Sequence, residues 1–257
     1  MRMAGTVWVQ GQPRWVDLSS SDLDRSIDFY RELFDWEATR GGERYGGYVT
    51  FSKNDFAVAG LAGKMPGAEG TPDAWTTYLH TADAAATAQS VIDAGGRNLF
   101  TPMDIPDMGV MGVAVDPTGG TIGSWQGSGH DGFEAHGEVG SPVWHELYAD
   151  DFDAALSFYR RAFGWSTRPL SDTDDFRYEL LVDGDHELAG IFDAGSRTDA
   201  TPSRWQVYFG VKDTDRTVGH ALELGGRVTE APYDSPYGRM AALVDATGAA
   251  FIVSTVV

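Results

Sequence analysis

The chain has 257 residues, 42% hydrophobic and 12% aromatic, with a formal net charge of −19 and no cysteine. Disulfides, thiolate nucleophiles and cysteine-ligated zinc or iron–sulfur centres are therefore excluded. The acidic balance, with no Lys/Arg run to offset it, repels a phosphate backbone, so nucleic acid is not an expected partner. No basic leader with an apolar core and no apolar run of membrane-spanning length is present, so the expectation is a cytoplasmic protein with no membrane partner.

In chain order, residues 1–12 read as a short lead onto a strand in which Val16 and Leu18 share one face and Trp15 and Asp17 the other. A helix follows, with Leu23, Ile27, Tyr30 and Phe34 at helical spacing behind Ser and Asp residues suited to its N-terminus. Alternation predicts strands over Tyr45–Phe51 and Phe56–Leu61 around a Lys53-Asn54-Asp55 turn. Trp75–His80 reads as a further strand, and Ala82–Ala94 as an alanine-rich helix stopped by Gly95-Gly96. Two short strands, Met111–Val115 and Thr121–Trp125, flank the turn Asp116-Pro117-Thr118-Gly119.

The Trp15–Trp36 stretch recurs as Trp144–Trp165, with nine of 22 positions identical. Later landmarks return about 130 residues on: Tyr48 as Tyr178, Gly60 as Gly190, Trp75 as Trp205, Asp116 as Asp245. Such registration means duplication. It divides the chain into a first module (residues 1–126), a glycine-rich linker (127–141) and a second module (142–257).

The repeated set Trp-x-Asp/Glu-Leu, Asp-x-Asp, Phe-Tyr, Phe-x-Trp, then Trp-x-x-Tyr, Gly-Gly and Asp-Pro-Thr-Gly resembles the vicinal oxygen chelate superfamily of glyoxalase, bleomycin-resistance and extradiol dioxygenase proteins. The resemblance covers both modules. It implies an α+β fold of tandem glyoxalase-like modules: four βαβββ units forming two curved open sheets, with helices outside. In metal-using relatives, three strand positions of a module carry His, Gln or Glu ligands. Carried over, they fall on Trp15, Thr76 and Gly123 in the first module and on Trp144, Gln206 and Ile252 in the second. Only Gln206 has a ligating side chain, since an indole nitrogen is a donor without a lone pair to give. No metal site and no cofactor are expected, and no phosphate-binding glycine loop or dinucleotide fingerprint is present.

If those positions face a concave surface, alternate residues on the same strands face it too. Trp15, Tyr48, Thr76, Met111 and Trp125 then form a ligand surface in the first module, and Trp144, Glu146, Tyr148, Gln206 and Tyr208 one in the second. Aromatic walls with an adaptable methionine suit a flat, bulky, oxygenated aromatic small molecule. Asp17, with His80 and Tyr78, forms the candidate proton-transfer set: Asp17 as acid or base, His80 as its opposite partner, Tyr78 as a hydrogen bond to a carbonyl or phenol oxygen. The second module has Glu146 for Asp17 and Gly210 for His80, so the first is the expected catalytic one. The functional expectation is metal-independent dehydration, cyclisation or isomerisation. The alternatives are a non-catalytic drug- or metabolite-sequestering protein and a metal-dependent glyoxalase- or dioxygenase-type enzyme. A monomer or homodimer is expected.

Overall fold

The structure is a computed structural model that describes residues 8–195 and 202–256; the first seven residues of the expected lead lie outside the described residues. The first module supplies β1 (Pro13–Ser20), α1 (Leu23–Phe34), β2 (Glu37–Arg40), β3 (Val49–Lys53), β4 (Phe56–Gly63), β5 (Ala74–His80), α2 (Ala84–Asp93), β6 (Arg97–Asn98), β7 (Met103–Ile105), β8 (Gly109–Val115) and β9 (Thr121–Gly127). The second supplies β10 (Pro142–Ala149), α3 (Phe152–Phe163), β11 (Thr167–Thr173), β12 (Phe176–Asp183), β13 (His186–Asp193), β14 (Arg204–Val211), α4 (Thr214–Glu223), β15 (Arg227–Ser235), β16 (Gly238–Val244) and β17 (Ala250–Thr255). None of the described helices is long and apolar enough to cross a membrane.

Two open mixed sheets result, one from each module. The first runs β2-β3-β4-β1-β5-β9-β8-β6, with β7 added against β8, and the second β11-β12-β13-β10-β14-β17-β16-β15. Each βαβββ unit has one logic: its opening strand pairs in parallel with its last strand, as β1 with β4, β5 with β9, β10 with β13 and β14 with β17. The connection between them runs through the helix and then the unit's middle strands. Each of the four described helices starts the same way. The carboxylates of Asp22, Asp83, Asp151 and Asp213 accept the backbone N–H of the third helical residue. Gly164 ends α3 in the left-handed region at φ 70°, and Asp35 holds the same place after α1 at φ 55°.

Two differences from the sequence reading are local. Tyr45 closes a 3-10 turn over Glu43–Tyr45 instead of starting a strand, because the run of small and charged residues before it cannot alternate against a core. The short strands β2, β6 and β7 carry mostly exposed side chains, so no hydrophobic alternation marks them.

The packing divides the chain differently from its modules. Among the described residues, one compact unit takes those up to Trp15, then Thr77–Gly132 and those between His145 and Trp205; the other takes Val16–Thr76, Phe133–Trp144 and those from Gln206 onward. Helices α2 and α3 thus pack together in the first unit, and α1 and α4 in the second. The first unit's core joins Leu79, Val91 and Ile122 to Phe158, Tyr159, Phe163, Trp165 and Trp205. In the second, Tyr30, Phe34, Trp36 and Trp75 meet Phe209 or Phe251, and Phe51 packs on Trp36, at ring-centroid separations of about 5–6 Å.

Each core contains a buried polar chain built from the same residue types. In the first unit the Trp205 indole donates to the Tyr159 hydroxyl (2.8 Å), which donates to Asp116 Oδ2 (2.9 Å). In the second, Trp75 donates to Tyr30 and Tyr30 to Asp245 Oδ2, both at 2.9 Å. The other carboxylate oxygen ties its own turn: Asp116 Oδ1 accepts Thr118 N and Gly120 N, and Asp245 Oδ1 accepts Thr247 N and Ala249 N. Burial, followed by the facing aspartate charge, pushes both phenols well above the usual tyrosine range, which keeps them protonated and donating. Tyr159→Phe strands an indole N–H and a carboxylate oxygen, and is expected to cost about 1–3 kcal/mol. Urea unfolding of the variant beside wild type measures it, and an unchanged midpoint contradicts the assigned role.

Candidate functional site

In the second unit, Asp17 on β1 lies opposite Gly60 on β4. The Tyr48 hydroxyl donates to Asp17 Oδ1 at 2.5 Å, directly over that glycine. A Cβ at Gly60 would sit 1.8 Å from the Tyr48 hydroxyl and 2.1 Å from the carboxylate oxygen, so only glycine leaves room for the pair. The second module repeats the acid, the glycine and the overlying tyrosine inside the first unit. Glu146 lies opposite Gly190, and a Cβ there would sit 2.0 Å from the Tyr178 hydroxyl. Tyr48 immediately precedes β3 and Tyr178 is the third residue of β12, and both acids occupy the third position of the Trp-x-Asp/Glu-Leu motif.

Tyr78 and His80 lie in the first unit on β5, opposite Gly123 and Trp125 of β9. The Tyr78 hydroxyl points to Met111 Sδ at 3.5 Å. Its ring occupies the space over Gly123, where a Cβ would lie 2.2 Å from a ring carbon. Trp15 is buried edge-on against the His130 ring at 4.4 Å, and Trp125 packs on the same imidazole and donates its indole N–H to the His130 carbonyl at 2.9 Å. The sequence placed Asp17, Tyr78 and His80 in one set. The structure joins Asp17 to Tyr48 in the second unit, and His80 to Arg14 in the first, with Arg14 Nη1 2.6 Å from His80 Nδ1.

In the second module Tyr148 meets Phe192 edge-on at 5.4 Å, and the Arg204 guanidinium lies 5.0 Å from the Tyr148 ring. Phe176, which is 41% exposed, stacks on Tyr178 and leans on Phe192. These rings make an accessible aromatic wall. Trp144 is half-buried, and Gln206 and Tyr208 are buried on β14, with Tyr208 opposite Ile252. Thr76 is half-buried on β5. A groove of about 730 Å³ in the second unit, lined by Glu32, Lys53, Arg216, His220 and Glu223 among others, contains none of the residues expected from sequence.

Sequence reasoning missed Arg14, His130 and Asp131, which have no counterpart in the second module, and Phe176 and Phe192, which lie outside the repeated motifs. It quoted Gly60 and Gly190 as landmarks without assigning their steric role. The only available signal was their recurrence opposite an acid.

Residues 144–254 match the family described as glyoxalase-like domain, and residues 12–123 the family described as glyoxalase/bleomycin resistance protein/dioxygenase superfamily. The chain belongs to this superfamily. Among its relatives are the anthracycline biosynthesis protein DauV of Streptomyces sp. (strain C5), 38% identical over 96% of this chain and 94% of that protein, and the putative glyoxylase CFP32 of Mycobacterium tuberculosis, 37% identical over 95% and 94%. The Mn(II)-bound glyoxalase of Novosphingobium aromaticivorans shares the fold, with a TM-score of 0.65 over 97% of this chain and 83% of that one at 15% identity.

The metal that members of this superfamily can hold does not fit the residues present. Among the described residues no three His, Asp or Glu side chains converge to hold an ion. At the first module's third ligand position, Tyr78 fills the space in which a carboxylate side chain would have to start.

Gly60→Ala forces a methyl into the Asp17–Tyr48 pair. An overpacking cost of about 1–3 kcal/mol is expected, measured as a lower denaturation midpoint. A second expectation concerns pH. Burial first, then the charge of Arg14, lowers His80 from its ordinary 6.5 to about 4, against an opposing pull from Asp131. Between those values the unfolded chain takes up a proton that the folded chain refuses. The contribution is complete above pH 6.5 and is lost as the pH falls towards 4. His80→Asn should therefore flatten the fall of the midpoint between pH 7 and pH 4.5, and parallel curves contradict the assignment.

Proposed function

We propose that this superfamily member binds a flat, oxygenated aromatic small molecule of secondary metabolism and performs metal-independent acid–base chemistry on it. Dehydration, cyclisation or isomerisation each need proton transfer and a shaped apolar surface but no electron sink. The observation that carries the reading is the half-buried Asp17 carboxylate, held at 2.5 Å by the Tyr48 hydroxyl over a glycine that admits nothing larger. A carboxylate so fixed exchanges a proton from one geometry, and the phenol beside it stabilises the charge left behind. Tyr78 and His80 in the first unit supply hydrogen-bonding groups suited to a carbonyl or phenol oxygen. Relatives named for anthracycline biosynthesis support an aromatic polyketide-like ligand.

A second reading, binding without turnover, is favoured by the accessible wall of Phe176, Tyr148 and Phe192 in the second module, which offers ring faces with Arg204 over one of them. The two readings part on one substitution. With anthracycline aglycones and related polycyclic phenols as probes, Asp17→Asn should bind as wild type does, read by tryptophan fluorescence, and should lose turnover, read by mass spectrometry. If wild type binds these compounds and leaves all of them unchanged, catalysis is ruled out and sequestration stands. If it binds none of them, the aromatic-ligand reading fails.

A further inference from the structure

Arg14 is the most elaborately housed cation of the first unit. Its side chain is only 4% exposed, although an arginine normally keeps its head in water. Nε donates to the Asp131 carbonyl at 2.7 Å and Nη2 to Asp131 Oδ1 at 2.9 Å. Trp8 lies 5.1 Å from the guanidinium carbon. Two glycines clear the space: a Cβ at Gly127 would lie 2.6 Å from Nη2, and one at Gly132 would lie 2.5 Å from Arg14 Cγ. What this housing aims is the remaining nitrogen, Nη1, at His80 Nδ1, 2.6 Å away. The His80 backbone is fixed as well, its N–H donating to the Gln12 carbonyl and its carbonyl accepting from Gly11.

The fold does not require any of this. At the equivalent place in the second module Gly210 stands for His80 and Val143 for Arg14, and a Cβ at Gly210 would lie 2.7 Å from the valine methyl. The duplicate sheet forms without the pair, so this strand pairing does not by itself depend on an arginine–histidine contact.

We propose that Arg14 is a positioning residue that locks His80 as the neutral tautomer with its proton on Nε2, making His80 a fixed hydrogen-bond donor to a carbonyl or phenolic oxygen of the ligand. A guanidinium has donors only, so the ring nitrogen facing it must present its lone pair. A proton on Nδ1 would set two N–H groups against each other at 2.6 Å. The ring's one proton is therefore on Nε2, and the neighbouring positive charge polarises that N–H and strengthens its donation. On this proposal His80 is not the acid–base partner of Asp17 that the sequence suggested; it binds developing negative charge on oxygen. The charged groups acting on the ring are Arg14 from β1 and Asp131 from the segment after β9, and the depressed His80 pKa agrees with a ring that resists a second proton. The step to a ligand oxygen rests on the aromatic-ligand reading above, whereas the tautomer lock does not.

The test is nitrogen-15 NMR of the full chain with labelled histidine, His80 being assigned from His80→Asn. In wild type, His80 should show a pyridine-type Nδ1 and a protonated Nε2, unchanged from pH 7.5 to 5.5. In Arg14→Met both nitrogens should move towards a tautomer mixture, and the His80 midpoint should rise by about one pH unit towards the ordinary value. Arg14→Lys, which restores a donor and a charge, should recover part of the wild-type pattern. A protonated Nδ1 in wild type, or titration near pH 6.5, overturns the proposal. The wild-type spectrum decides this even if Arg14→Met does not fold. In the second arm, a polycyclic phenol that binds should shift the Nε2–H proton downfield. Binding without that shift overturns the donor role. If no compound binds, the ligand reading fails while the lock is judged by the first arm alone.

Discussion

The hydrogen bond from a buried tyrosine to a turn aspartate is the constraint on which this fold rests. It occurs once in each compact unit, as Tyr159 to Asp116 and as Tyr30 to Asp245, with an indole feeding each phenol. One aspartate oxygen orders the turn between the last two strands of a module, while the other receives the tyrosine of the opposite module's first helix. An apolar core alone would hold helix against sheet without fixing their register. A fully satisfied polar chain inside that core has one geometry, and missing it leaves three groups dry. The positions of β1 and β10, and so of Asp17 and Glu146, follow from helices held this way.

Much of this was legible in the sequence because duplication printed it twice. Phe-Tyr on a helix, Trp-x-x-Tyr on a strand and the Asp-x-Thr-Gly turn recur in order, and these residues build the two polar chains. Helix starts were legible through Asp22 and Asp151, whose carboxylates have one obvious backbone partner. What was not legible was the pairing of motifs across modules, since a repeat shows that a tyrosine and an aspartate matter but not which meets which. The Arg14–His80–Asp131 cluster was hidden for the opposite reason. It is unrepeated, and Asp131 lies in a glycine-rich stretch whose composition reads as connection, although residues 128–130 all donate to the Met108 carbonyl. Tyr48 was named from its recurrence. That it lies on Asp17 depends on Gly60 lacking a side chain, a steric fact no pattern of polarity reveals.

The two modules keep one architecture and diverge in chemistry. Both set an acid opposite a glycine whose open space a tyrosine hydroxyl occupies, with aspartate in one and glutamate in the other. In chemistry they part: the first module buries Trp15, Tyr78 and Trp125, and places His130 between two indoles. The second leaves Phe176 standing in solvent and fills the place of His80 with Gly210. Superfamily membership explains the frame.

The exchange of halves between the modules has a topological consequence. Scission anywhere in residues 127–141 would leave each fragment with an orphaned phenol and an orphaned carboxylate, because partners in both polar chains sit on opposite sides of the cut. Each half alone therefore leaves its buried polar groups without the partners they have in the whole chain. A lone ancestral half could complete its interior by reciprocal association with an identical twin, and covalent fusion of the two would convert that bimolecular equilibrium into the unimolecular one written in this polypeptide.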